Sequence, residues 1–533
     1  MSTVVESKAR AWVLIETGSN QDFIFQSSRQ RFQVGASALI KDVATWVEEA
    51  VKALGGLHQS QVDIVVCTSG KAVLLVDDPA VGREIVTAVT LRALDQAPGM
   101  DLWGYVEPTT LAGDPMVRLE ALHGFHARAR WGRPSPRVRA PLQPFMEACS
   151  LTGRPSASLM NFAPGAKTQV SPLARLAAER ADTARASWSK EVRRVTLKDL
   201  SREVANAGWV AIVHADGNRI GEIIQRLVEV DTYRAFSEAL ADCTASAFDA
   251  AVAAVSQSVP DLKDWLLPLI LGGDDTTFIC DGRLAIRFTS AYLTAFEHAS
   301  AASAPIRDAV AEAAANGATA AEAGHLTAAA GIALVKPHFP YHAAYDLAES
   351  LAHSVKERGF SSVGRSSYDF HVLHDSVARP LSDLRDALVT THLTDDTAHT
   401  VSAWAGPFLA PSGVGAAENV RDDAHLFAAA QVLGGDRDER LLSGSAIHDL
   451  RVAAVESRSA FEVARRRIRG TLQPANRPKF DRFIEAQIDQ KAVDPATHPV
   501  TFGRILATID LVDIEAGRAQ GVRPAASAKA GRP

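Results

Sequence analysis

A chain of 533 residues is too long for one ordinary core and implies about three or four domains. Its composition, 47% hydrophobic and 22% charged, is that of a globular protein, and a formal net charge of −6 excludes a general nucleic-acid coat, which would be strongly basic. The four cysteines, Cys67, Cys149, Cys243 and Cys280, are widely separated and form no C-x-x-C pair, which argues against a disulfide framework and against a cysteine-rich zinc site.

The first residues, with Glu6, Lys8 and Arg10, lack the apolar centre of a signal peptide, and no apolar run reads as long enough to span a bilayer. A cytoplasmic protein without a membrane partner is expected. Residues 12–16 form a short apolar run ended by the turn-like Thr17-Gly18-Ser19-Asn20, which predicts a buried strand. Residues 62–67 and 72–76 predict a hairpin around Thr68-Ser69-Gly70-Lys71, followed by a helix over 79–94. The stretch 106–206 is irregular and then helical from about 172. It carries Arg128, Arg130, Arg133, Arg137 and Arg139 without an intervening acid, either a solvated face or a contact for an RNA backbone or another anion.

The order then repeats. Residues 209–213 predict a second buried strand, ended by His214-Ala215-Asp216-Gly217-Asn218. A second hairpin, 269–271 and 276–280, surrounds Gly272-Gly273-Asp274-Asp275, and a helix over 284–297 follows. Strand, helix, hairpin, helix is the order of a ferredoxin-like α+β unit, so two such units are expected in one chain. An Ala-rich insertion over 299–330, either helical or mobile, precedes a strand over 331–336 and a helix over 341–358, with Leu347, Leu351 and Val355 on one face and Gly359 as its cap. Residues 441–518 read as mostly helical, with a second basic cluster at Arg465, Arg466, Arg467 and Arg469, and the tail from 521 reads as disordered. The predicted domains are 8–105, 106–206, 207–376 and 377–520.

The acids at the strand end and hairpin tip carry the chemistry. In a ferredoxin-like sheet the first strand neighbours the central hairpin, so Asp216, Asp274 and Asp275 converge. Converging carboxylates suit Mg²⁺ or Mn²⁺, and a pair of such ions can act on a nucleoside triphosphate. Gly217, Gly272 and Gly273 give the tight turns and the room that a nucleotide needs. The competing reading is an ordinary Asp-Gly turn.

Residues 209–221 (WVAIVHADGNRIG) and 269–280 (LILGGDDTTFIC) resemble the catalytic palm of the large signature subunit of type III CRISPR effector complexes, which is similar to the palms of GGDEF and other nucleotidyl cyclases. Residues 15–40, CTSGKAVLL at 67–75, GIALVKPHFP at 331–340 and YDFHVLHDS at 368–376 extend the resemblance over about residues 10–376. It implies a degenerate first palm, a second palm whose metal ligands are Asp216, Asp274 and Asp275, and phosphate contacts from Lys336 and the backbone at Gly217 and Asn218. It also implies ATP or another NTP as substrate, cyclic oligonucleotides as product, and other effector subunits and guide or target RNA as partners. Three departures stand out. Asn218 replaces a second acid, only Cys149 remains of a cysteine knuckle, and the N-terminal HD nuclease domain is absent from the sequence given. The dipeptides His374-Asp375 and His448-Asp449 lie outside that domain's place. The alternative to a cyclase is a non-catalytic scaffold subunit that binds RNA and protein partners.

Overall fold

The computed structural model describes residues 10–520 except 28, 56–58, 69, 110–123, 125, 127, 130, 133–140, 164–165, 197–207, 260–263, 319–323, 359–363, 376, 395–396, 403, 412–421, 435–439 and 488–499. Gly359, the 521–533 tail and, of the linker's basic stretch, Arg130, Arg133, Arg137 and Arg139 therefore lie outside the described residues.

The first unit is a four-stranded antiparallel sheet ordered β2 (Val62–Thr68), β3 (Lys71–Val76), β1 (Arg10–Gly18), β4 (Asp101–Thr109). This is the strand order of a ferredoxin-like fold, with β1 central and the hairpin beside it. Alternate side chains of β1 enter different cores, as a strand's period of two requires. Val13 and Ile15 pack with Phe32, Leu39 and Ile85 of the unit's own helices, Gln30–Leu54 and Pro79–Gln96. Trp12 and Leu14 belong instead to a core shared with Tyr233, Phe236 and Leu240 of the second unit. The run over 11–15 is continuously apolar because it is buried on both faces.

The second unit repeats the order and adds strands. Its sheet runs β8 (Leu266–Gly272), β9 (Asp275–Asp281), β7 (Val210–Gly217), β10 (Ala328–Val335), β11 (Ser367–Val372), β14 (Phe408–Leu409). The helices Val230–Ser258 and Gly282–Ala302 enclose an edge-to-face cluster of Phe248, Phe278, Phe288 and Tyr292. The helix Tyr341–Glu357 lies against β10, where a Cβ on Gly331 would come within 1.9 Å of the Ala348 carbonyl oxygen. Glycine is what lets helix and strand approach this closely.

Several boundaries differ from the sequence reading. Of the two readings of the Ala-rich insertion the helical one holds over Ala304–Ala315, while its last residues, 328–330, already belong to β10. The linker adds a hairpin, β5 (Ser158–Ala163) and β6 (Ala166–Val170), before the helix Pro172–Ser187, which seats on Gly35. The C-terminal region has the helices Asp423–Gly434, Gly444–Glu456, Arg458–Thr471, Arg477–Gln487 and Gly503–Gln520. It also forms a small sheet of β12 (Val389–Thr394), β13 (Thr397–Ser402) and β15 (Val500–Thr501), and it lends β14 to the palm sheet, so the division at 376 is not clean. The helix Val230–Ser258 is long and apolar enough to cross a membrane by length and composition, contrary to the sequence reading, but much of it is spent in the shared core.

Candidate active site

The acids meet at one end of the central strand pair. In β7 and β9 the register runs His214 to Thr277 and Ala215 to Thr276, and one further step sets Asp216 beside Asp275. The β8–β9 hairpin is tighter than expected. Gly272 already pairs with Asp275, leaving Gly273 and Asp274 as the turn, with Gly273 at φ +61° and its carbonyl accepting from Thr244 Oγ1 at 2.6 Å. Gly217 is needed for a reason other than phosphate contact: a Cβ there would lie 2.8 Å from the Cβ of Asp274. The glycine lets the turn fold down against the end of β7.

His214 and Asp216 share a face of β7, two residues apart, and the helix Tyr341–Glu357 crosses that face. Lys356 near its end donates to the Asp216 carboxylate and to the Gly217 carbonyl at 2.9 Å. Lys356 is the functional candidate that sequence reasoning missed. Burial, reinforced by the neighbouring Asp216 charge, raises the Asp274 carboxyl to about 7. Burial raises Asp275 well above the ordinary carboxylate range, with the charges of Asp216 and Asp274 adding to it. Burial pushes the His214 imidazole down to about 4, so it stays neutral beside these acids. The site is short of positive charge.

Two expectations change. Lys336 does not join the acids. The antiparallel register pairs Asp216 with Ala329 and Val210 with Val335, so Lys336 lies past the far end of β7, about 20 Å away at the usual strand rise. There its ammonium sits 3.5 Å from the centre of the Trp209 ring and donates to the Gly208 carbonyl at 3.2 Å. Asn218 is buried and committed elsewhere. Its backbone N–H donates to the Thr327 carbonyl at 2.8 Å and its amide to Thr327 Oγ1 at 2.9 Å, so that N–H does not face a ligand.

A hard cation can be tested against these residues directly. Asp275 Oδ1 is buried and has no hydrogen-bond partner, which is costly for a carboxylate oxygen unless something positive takes it up. Its neighbours are two more carboxylates whose charges oppose its ionisation. The donor set is all oxygen, the preference of Mg²⁺ and Mn²⁺. The residues fit such an ion in chemistry. Among the described residues no three His, Cys, Asp or Glu side chains are gathered into a metal cluster, and Lys356 supplies the charge next to Asp216.

Residues 209–361 match the family model described as Cas10/Cmr2, second palm domain. This segment is a Cas10/Cmr2-type second palm. No curated protein matches the chain significantly. Solved structures do. A chain of a Csm1–Csm4 cassette in complex with cA3 superposes with a TM-score of 0.53 at 12% identity, covering 96% of this chain and 70% of that one. The cassette with one ATP gives 0.52 at 12% identity, with coverage of 96% and 70%. The Csm1–Csm4 subcomplex of the type III-A CRISPR-Csm interference complex gives 0.50 at 12%, with coverage of 96% and 71%. At these identities the likeness establishes a shared fold across nearly the whole chain, so the unit preceding the Cas10/Cmr2-type palm and the helical region following it belong to the same architecture.

The second basic cluster is largely engaged within the chain. Arg467 pairs with Asp449 at 2.6 Å, Arg469 with Asp481 at 2.9 Å and Arg465 with Glu462 at 3.6 Å. Such exposed pairs contribute little stability, but they reduce the charge available to an RNA backbone.

Proposed function

We propose that this protein is the palm subunit of a type III CRISPR effector complex and joins ATP, or another NTP, into cyclic oligonucleotides with divalent metal. The observation that carries the reading is the placement of Asp216, Asp274 and Asp275 at one end of the β7–β9 pair of a Cas10/Cmr2-type palm, close enough for their charges to act on one another. Asp216, Asp274 and Asp275 would hold the metal, Mg²⁺ or Mn²⁺. When bound, such an ion favours ionisation of the attacking 3′-hydroxyl and stabilises charge on the α-phosphate and leaving pyrophosphate.

The chain's own groups supply binding and orientation. Lys356, already beside Asp216 and Gly217, is the cation placed to exchange that carboxylate for triphosphate oxygens. Gly217 leaves room for the Asp274 turn to close on the end of β7, and Gly273 takes the positive φ that the turn requires. His214, neutral and buried, occupies the inner side of the acids without adding charge. The fold relatives were solved with ATP, cA3 and cA4, which supports an adenine nucleotide as substrate class. Their pairing with Csm4 supports a partner subunit of that kind here. The test is incubation with Mn²⁺ and each labelled NTP in turn, followed by mass analysis of products. A cyclic oligonucleotide from one NTP is the expected result. No product from any NTP, with or without target RNA and partner subunits, would favour a scaffold role.

A further inference from the structure

Three side chains form a line from the first palm to the catalytic acids. Gln21, in the short helix Asn20–Ile24, donates from Nε2 to the Tyr345 hydroxyl at 3.1 Å. That hydroxyl lies 3.4 Å from His214 Nδ1, which is 3.3 Å from Thr277 Oγ1 and 3.4 Å from Asp275 Oδ1. The rings are fixed as well. Phe25 packs on Tyr345 with centroids 5.2 Å apart, and Tyr345 meets the His214 imidazole edge-on at 5.5 Å.

Tyr345 is almost wholly buried, so its hydroxyl needs partners inside the protein. It finds one in each palm. Asp275 Oδ1 has no hydrogen bond of its own, and the His214 nitrogen faces it. The rotamer of His214 therefore bears on where that oxygen can sit, Tyr345 holds His214, and Gln21 holds Tyr345. We propose that Gln21 and Tyr345 are positioning residues through which the first palm, which lacks the acids, sets the Asp275 carboxylate for metal. This rests on the function proposed above. It gives the first palm a role in the chemistry through orientation, since outer partners of a metal-ligating carboxylate govern its geometry.

Tyr345→Phe removes the hydroxyl and keeps the ring, and Gln21→Ala removes the first palm's donor. Each full-length variant is measured for thermal midpoint, for affinity toward Mn²⁺ alone by calorimetry, and for kcat and KM with the active NTP. Either change should weaken Mn²⁺ binding and lower kcat by about tenfold, the usual effect of losing an outer partner of a ligand. KM for the NTP should change little. The double variant should be no worse than Tyr345→Phe, because Gln21 acts through that hydroxyl. A control is Arg234→Ala, which cuts a different tie between the palms, to Asp63 at 2.6 Å and the Ile64 carbonyl at 3.1 Å. It should leave Mn²⁺ affinity unchanged. Wild-type Mn²⁺ affinity in both single variants would overturn the proposal, as would an equal loss in Arg234→Ala. A wild-type protein that neither binds Mn²⁺ nor forms product would overturn the functional reading first, a result distinct from active wild type with indifferent variants.

Discussion

In the first palm Glu16 stands across from Lys71 on β3, while in the second the corresponding step along β7 and β9 sets Asp216 beside Asp275. The strand order around the two pairs is the same. One palm has an acid–base cross-strand pair, the arrangement that favours a sheet by a few tenths to about 1 kcal/mol. The other has an acid–acid pair, which disfavours it, and recruits Lys356 from a separate helix as counter-charge. The difference teaches that the same strand order can carry a charge-matched pair or a charge-opposed one, and only the opposed one draws a lysine from outside the sheet. The second palm also leans on the first: Gln21, Phe25 and Trp12 of the first palm all reach into it.

The comparison breaks most sharply at the hairpins. Asp274→Ala with Asp275→Ala should reduce product formation by about a thousandfold or more, since several kcal/mol of charge stabilisation depend on ion binding there. Lys71→Ala, at the matching hairpin position of the first palm, should change the rate by no more than about twofold. Losses of similar size in both would mean that the first palm shares the chemistry.

Lys356 sharpens it next. Lys356→Met keeps the apolar stem and removes the charge. If the lysine passes from Asp216 to the triphosphate, KM for NTP should rise about tenfold or more, at roughly 1.5–3 kcal/mol for a charge-assisted hydrogen bond. Affinity for Mn²⁺ alone should hold or rise, because a competing cation has gone. A weaker Mn²⁺ affinity would show instead that Lys356 orients Asp216.

Much of this site could be read in sequence, and the reason is local. An apolar run ended by Asp-Gly, and a hairpin tip of Gly-Gly-Asp-Asp, each declare themselves within a dozen residues, and the ferredoxin-like order then joins them. The repeat gave the first palm in the same way. Lys356, Tyr345 and Gln21 were not legible because helix packing brings them in, and Gln21 meets Tyr345 across 324 positions. One signal was available. On the helix 341–357, Tyr345, Glu349, Ala352 and Lys356 recur at helical spacing as a stripe beside the apolar one formed by Leu347, Leu351 and Val355. Lys336, a phosphate contact by the resemblance alone, follows a strand whose direction carries it away from the acids.

The buried turn acid Asp274, beside that pair, also predicts a pH signature in metal-free protein. Asp274 has an unfolded value near 3.8 and a folded value of about 7, raised by burial and then by Asp216. A carboxyl raised on folding is neutral in the native state at low pH, where it costs nothing. Its penalty grows as pH climbs from about 4 to about 7 and is complete above that. Asp274→Asn should therefore leave the thermal midpoint unchanged at pH 4 and raise it by about 2 °C or more at pH 8. A midpoint gain equal at both pH values would mean that the turn is relieved of strain and not of charge.

The smallest effect is expected at Lys336. Its ammonium lies over Trp209 and bonds the Gly208 carbonyl, so its charge is used where the chain enters β7, at the end remote from Asp216. A cation–π contact at a partly exposed position contributes about 0.5–1 kcal/mol, and one hydrogen bond a similar amount. Lys336→Met should therefore lower the thermal midpoint by a few degrees at most and leave KM for NTP within about twofold of wild type. Measured beside Lys356→Met, the pair decides which lysine serves the triphosphate. A large rise in KM for Lys336→Met would require the nucleotide to extend along β7 to its far end, and the site would then include the entrance of the strand as well as its tip.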